Sequence, residues 1–167
     1  MKAKLTLEDG REIAVDVSEE TLKKIEKPKK KTGYERVLND EIYHFDCCGE
    51  IDTSREDNRT FHDKLYDNAI YYSDKTVAEN NARADKLYRQ LRRFAVEHRE
   101  TALNWNVSQD KWVIYYWYGD GKIKISQYAQ FRDFGNIYFD SKETAEAAIE
   151  EFKDELIWYF TEYKDSL

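Results

Sequence analysis

The sequence predicts an α+β fold: duplicated strand-turn-strand-loop-strand-helix units with antiparallel sheet packed by two long helices, plus an N-terminal β-hairpin and short helix. Two observations carry that expectation. The stretch from Asn68 to Glu79 recurs sixty-seven residues later, from Gly135 to Glu146. Without a gap, Ile70, Tyr71, Lys75, Ala78 and Glu79 match Ile137, Tyr138, Lys142, Ala145 and Glu146. Upstream the spacing is 72, with Ile42, Tyr43, Phe45, Gly49 and Ile51 opposite Ile114, Tyr115, Trp117, Gly121 and Ile123. The first copy therefore carries five extra residues, which fall between Thr53 and Asp63. A repeat with one elastic loop is an architectural signal. The second observation is that each copy ends in a long amphipathic stretch.

In order along the chain, residues 1–33 read as an appendage. Leu5 and Leu7 alternate before Asp9-Gly10, and Ile13, Val15 and Val17 alternate after it, which is a hairpin pattern. Ser18 opens a short helix with Leu22 and Ile25 on one face. The lysine-flanked Pro28 and then Gly33 make a solvated linker.

Residues 34–100 form the first repeat. Strands are expected at Glu41–Phe45 and Glu50–Thr53 around a turn at Cys47-Cys48-Gly49. The insertion from Ser54 to Arg59 is wholly polar and reads as a mobile surface loop. A third strand at Ala69–Tyr72 leads into a helix capped by Ser73 or Asp74 and reaching about His98. Val77, Ala84, Leu87, Leu91, Phe94 and Ala95 make its apolar stripe.

Residues 101–167 form the second repeat. Trp112–Tyr118 is apolar on both faces and reads as a central strand. Gly119-Asp-Gly121 turns it into Lys122–Tyr128, and a third strand follows at Asn136–Phe139. Asp140 with Glu143 fits a capping box. One last helix then turns Ala145, Ala148, Ile149, Phe152, Leu156, Tyr159, Phe160 and Tyr163 inward. Ala78 and Ala145 are expected where each helix meets its own sheet.

Composition narrows the function. A net charge of −7 over 167 residues opposes non-specific coating of nucleic acid. No apolar run approaches a membrane span and no signal-peptide pattern occurs, so the expected setting is cytoplasmic. The adjacent Cys47 and Cys48 fit a reduced pair. His44, His62 and His98 lack metal-ligand spacing, and no phosphate loop, GxGxxG or nucleophile elbow is present. The expectation is a protein that is not an enzyme and uses no metal or cofactor.

Charge is distributed unevenly. Arg83, Lys86, Arg89, Arg92, Arg93 and Arg99 decorate the first long helix. Ten acidic residues against three lysines occupy Asp133 to Asp165. Surface ion pairing between the two helices, each pair worth about 0–1 kcal/mol, is the plainest consequence. The functional expectation is that Glu146, Glu150, Glu151, Asp154 and Glu155 imitate a phosphate backbone and occupy a channel built to hold nucleic acid. The alternative is a nucleic-acid-binding module using Arg83, Lys86, Arg89, Arg92 and Arg93.

Gly135-Asn136-Ile137-Tyr138-Phe139-Asp140-Ser141, with Ala145, resembles a strand-to-helix motif of small proteins encoded by phages and prophages of Gram-positive bacteria. The first copy departs from it with Asn68-Ala69. The resemblance covers roughly residues 29–163 and implies a phage or prophage setting. Some small phage proteins of this kind block host defences, as anti-CRISPR proteins do.

Overall fold

The computed structural model describes Lys2–Thr6, Glu12–Asp16 and residues 31–167, and the chain divides into units Met1–Lys31 and Thr32–Leu167. In the first unit, β1 (Lys2–Thr6) and β2 (Glu12–Asp16) pair antiparallel, with Leu5 opposite Ile13. The expected Asp9-Gly10 turn, the short helix from Ser18 and the lysine-rich linker through Lys30 lie outside the described residues.

The second unit is α+β with antiparallel sheets. β3 (Ile42–Cys47) pairs with β4 (Glu50–Arg55), and β5 (Tyr71–Tyr72) pairs with the other edge of β3. Cys48 and Gly49 turn the hairpin with φ of 62° and 92°, a conformation glycine holds without steric cost. Of the expected polar loop, Ser54 and Arg55 extend β4 and residues 56–59 are irregular, and α1 (Thr60–Asp67), which the sequence reading did not assign, follows before β5. It forms because Leu65 and His62, one turn apart, are both buried beside Tyr43 and Tyr71.

α2 (Lys75–Glu97) starts at Asp74, whose carboxylate accepts the Val77 N–H at 2.9 Å. At 23 residues it is about 35 Å long and serves both halves of the unit. Its first turns pack Val77 and Ala78 with Tyr72, Tyr34 and Ile51. Its later turns pack Leu87, Leu91 and Ala95 with Phe139, Ala145, Ala148 and Leu156.

β6 (Lys111–Trp117) pairs with β7 (Lys122–Tyr128), and Phe139 bridges the free edge of β6 at Trp112. The expected third strand at Asn136–Phe139 is reduced to that one bridge. α3 (Lys142–Glu151) is capped by Ser141, which accepts the Thr144 N–H at 3.1 Å. Asp140 is not the cap; its Oδ2 accepts the Glu100 and Thr101 N–H groups instead. The last helix is also not continuous. Phe152 ends α3 and starts α4 (Lys153–Thr161), with its ring edge-on to Phe94. Tyr159, expected inward, is exposed, and Trp158 is buried in its place.

The repeat recurs only locally. Tyr72 and Phe139 are both buried, the caps Asp74 and Ser141 stand sixty-seven residues apart, and Ala78 and Ala145 have no exposed surface. The sheet register differs: Tyr72 sits opposite His44, so a spacing of 72 would put Phe139 opposite Tyr116, but it pairs with Trp112. The matched residues are those that any strand running into a helix over its own sheet requires. A strand end must be buried, an N-cap must accept an orphan N–H, and a small residue must allow close approach.

Candidate functional site

The acidic surface spans the break at Phe152. Glu150, Glu151 and Asp154 are exposed and form no ion pair among the described residues. Glu146 meets Lys142 of its own helix at 3.0 Å, with both side chains about half exposed. Glu155 is different. Arg83 of α2 grips it with Nε and Nη2 at 2.8 and 3.0 Å and lies 3.9 Å over the Trp158 ring. That fork holds the Glu155 carboxyl below the usual carboxylate range.

The basic residues of α2 do not form one face. Arg83 and Arg92 are nine residues, or about two and a half turns, apart, so they leave the helix on opposite flanks. Arg93 reaches Glu97 at 3.8 Å, whereas Lys86 and Arg89 form no ion pair among the described residues. Arg92 turns toward a cavity that the sequence reading did not anticipate.

That cavity, of about 280 Å³, lies at the C-terminal end of α2. Arg92, Arg99 and Arg132 line it, with Tyr88, Trp105 and Tyr138. Behind it Lys111 is fully buried: its ammonium donates to the Gln109 and Ala129 carbonyls at 2.7 and 2.8 Å and sits 4.7 Å over Trp105. A second cavity, of about 340 Å³, is apolar and aromatic, between Leu87 and Leu91 of α2 and Leu156 and Phe160 of α4. Tyr159 and Tyr163 line it, and burial and the nearby Tyr34 push the Tyr163 hydroxyl up to about 12.

A further cluster went unread because its members lie far apart in sequence. Glu56 is buried, and its carboxylate accepts Arg36 Nε and Nη2 at 3.1 and 3.2 Å. It also accepts the Asn58 N–H at 2.8 Å and the Tyr71 hydroxyl at 3.0 Å, with His62 Nδ1 at 3.0 Å. Burial alone would raise its pKa, but these donors outweigh burial and hold it at about 2. With every lone pair engaged and none of these residues lining either cavity, the cluster fastens α1 to the first sheet.

Cys47 and Cys48 are both exposed free thiols, and Cys48 together with burial pushes the Cys47 thiol up. Among the described residues no group of three or more His, Cys, Asp or Glu side chains gathers as a metal site. Nor is any helix among them long and apolar enough to cross a membrane. Comparison with family models, with curated proteins and with solved structures found no match.

Proposed function

We propose that this chain is a non-enzymatic accessory protein of phage or prophage origin, acting in the bacterial cytoplasm. It binds and inhibits a host protein, with a nucleic-acid-handling defence enzyme as the preferred target, in the manner of anti-CRISPR proteins. The observation that carries the reading is the unneutralised acidic surface: Glu150, Glu151 and Asp154 stand exposed on helices held rigid from below by Ala148 and Leu156. Fixed carboxylates of that density present a field that a phosphate-binding channel accepts. The motif from Gly135 to Ser141 supplies the setting, and the net charge of −7 agrees with it.

The alternative, nucleic-acid binding along α2, has less behind it, because Arg83 is spent on Glu155 and Trp158 and Arg92 leaves on the opposite flank. Capture from host lysate tests the reading. Glu150, Glu151 and Asp154 are reversed to Lys while Glu155, which anchors Arg83, is left alone. The wild type is expected to retain a nucleic-acid-binding protein that the triple variant loses. Equal retention by both sinks the acidic-mimic reading.

A further inference from the structure

We propose that the cleft at the C-terminal end of α2 binds a 5′-phosphorylated nucleotide, its phosphate held by Arg92, Arg99 and Arg132. This site goes beyond the acidic surface and does not depend on it.

Among the described residues Arg36, Arg55, Arg59, Arg83 and Arg93 each meet a carboxylate or a carbonyl. Arg89, Arg92, Arg99 and Arg132 meet neither, and three of those four line this one cavity. Among the described residues no carboxylate lines it. Three like charges converging on a cleft repel one another and raise the local potential, and an anion relieves both effects.

Arg99 gives a second, independent sign. Its Nε is buried and has no hydrogen-bond partner among the described residues. A buried donor left unmade costs about 1–3 kcal/mol, so such groups are rare unless something else completes them. A guanidinium fork matches the oxygens of a phosphate in both spacing and charge. Tyr138 adds a neutral donor: its hydroxyl oxygen accepts the Asp133 N–H at 2.7 Å, which leaves its own hydrogen free.

The remaining walls define the rest of the ligand. Lys111 at 4.7 Å and Arg132 at 5.4 Å both stand against the Trp105 ring, which thereby helps to position Arg132. Tyr88 and Val96 line the cleft and remain exposed, an apolar shelf suited to a base or sugar. At about 280 Å³ the cleft lies just below the usual range of small-molecule sites, roughly 300–1,000 Å³, which suits one nucleotide. A free mononucleotide and the 5′-terminal nucleotide of a single strand share this chemistry.

Calorimetric titration of the full chain separates the possibilities, with adenosine 5′-monophosphate, adenosine, inorganic phosphate, and a short oligonucleotide carrying either a 5′-phosphate or a 5′-hydroxyl. The monophosphate or the 5′-phosphorylated strand is expected to bind, and to do so more weakly as salt rises. Tighter binding of the phosphorylated strand assigns the terminal nucleotide; tighter binding of the monophosphate assigns the free one. Arg132→Gln, at an exposed position, and Arg99→Gln are each expected to weaken binding about tenfold or more. Arg132→Gln with an unchanged melting temperature keeps the test valid if Arg99→Gln unfolds. Adenosine binding as tightly as the monophosphate, inorganic phosphate binding as tightly, no binding by either phosphorylated probe, or a folded Arg132→Gln binding like the wild type would each overturn the proposal.

Discussion

Replacing Glu56 by Gln keeps the size of the side chain but turns one of its two acceptor oxygens into a donor. That donor faces either Arg36 Nε and the Tyr71 hydroxyl, or Arg36 Nη2 and the Asn58 N–H. Hydrogen bonds to a charged group contribute about 1.5–3 kcal/mol each, and breaking one partner of a buried pair costs about 3–5 kcal/mol. Arg36 is a third exposed, so water recovers part of its share. The acidity shift gives a second route to the magnitude. Depression from 4.5 in a free carboxyl to about 2 in the fold corresponds to about 3 kcal/mol at neutral pH. Both routes put the loss near 2–4 kcal/mol, a large share of a typical domain's stability.

The sign follows from linkage. As pH falls, the unfolded chain takes up the proton first, so the contribution is fully present above about pH 4.5 and is lost toward about pH 2. Denaturant unfolding of wild type and Glu56→Gln at a series of pH values measures it. The difference between the two proteins is expected to be largest at pH 7 and to shrink by about half or more by pH 3. Taking the difference removes the other carboxylates that titrate in the same window. No difference at pH 7, or one that stays constant down to pH 3, would refute the assignment of Glu56 as the acceptor that fastens α1.

Two further predictions concern packing. Ala145→Leu, at a fully buried contact beside Phe139 and Leu91, is expected to cost about 1–3 kcal/mol, while Glu146→Leu next to it costs under about 0.5 kcal/mol; paired denaturation curves check both. Gly33 has a φ of 93° and a Cβ added there would stand 2.7 Å from Val77, so Gly33→Ala is expected to lower the melting temperature. Trimming Val77 to Ala in the same chain removes its two methyls but leaves its own Cβ at 2.9 Å, so it should recover only part of the steric loss, and the positive φ remains.

How much was legible in the sequence depends on the range over which each feature is decided. The stripe Val77, Ala84, Leu87, Leu91, Phe94 and Ala95 predicted α2 because a helix repeats its buried side every three or four residues, and all but the half-buried Phe94 are buried. The Asp74 cap and the two hairpins of the second unit were readable for the same reason: each is closed within a few residues. Such local signals also explain why the repeat looked complete. Matching strand ends, caps and alanines are visible in the chain, but the four-residue shift of Phe139 along β6 is a choice of pairing partner that no single strand encodes.

The site residues show the same division. The polarity of Ser54–Arg59 was read as solvent exposure, yet Glu56 is buried because Arg36, twenty residues before it, and Tyr71, fifteen after it, meet it in space. Likewise, charge density on α2 and on α3–α4 was evident from composition alone. Which charges cancel was not, because Arg83 finds Glu155 seventy-two residues away while Arg92, Arg99 and Arg132 find no carboxylate among the described residues. The sequence by itself therefore determined the local elements and the charge each one carries. Only the tertiary structure decided which buried groups are satisfied and which charges stay free, because a Coulomb or hydrogen-bond partner is set by distance in space and not by separation along the chain.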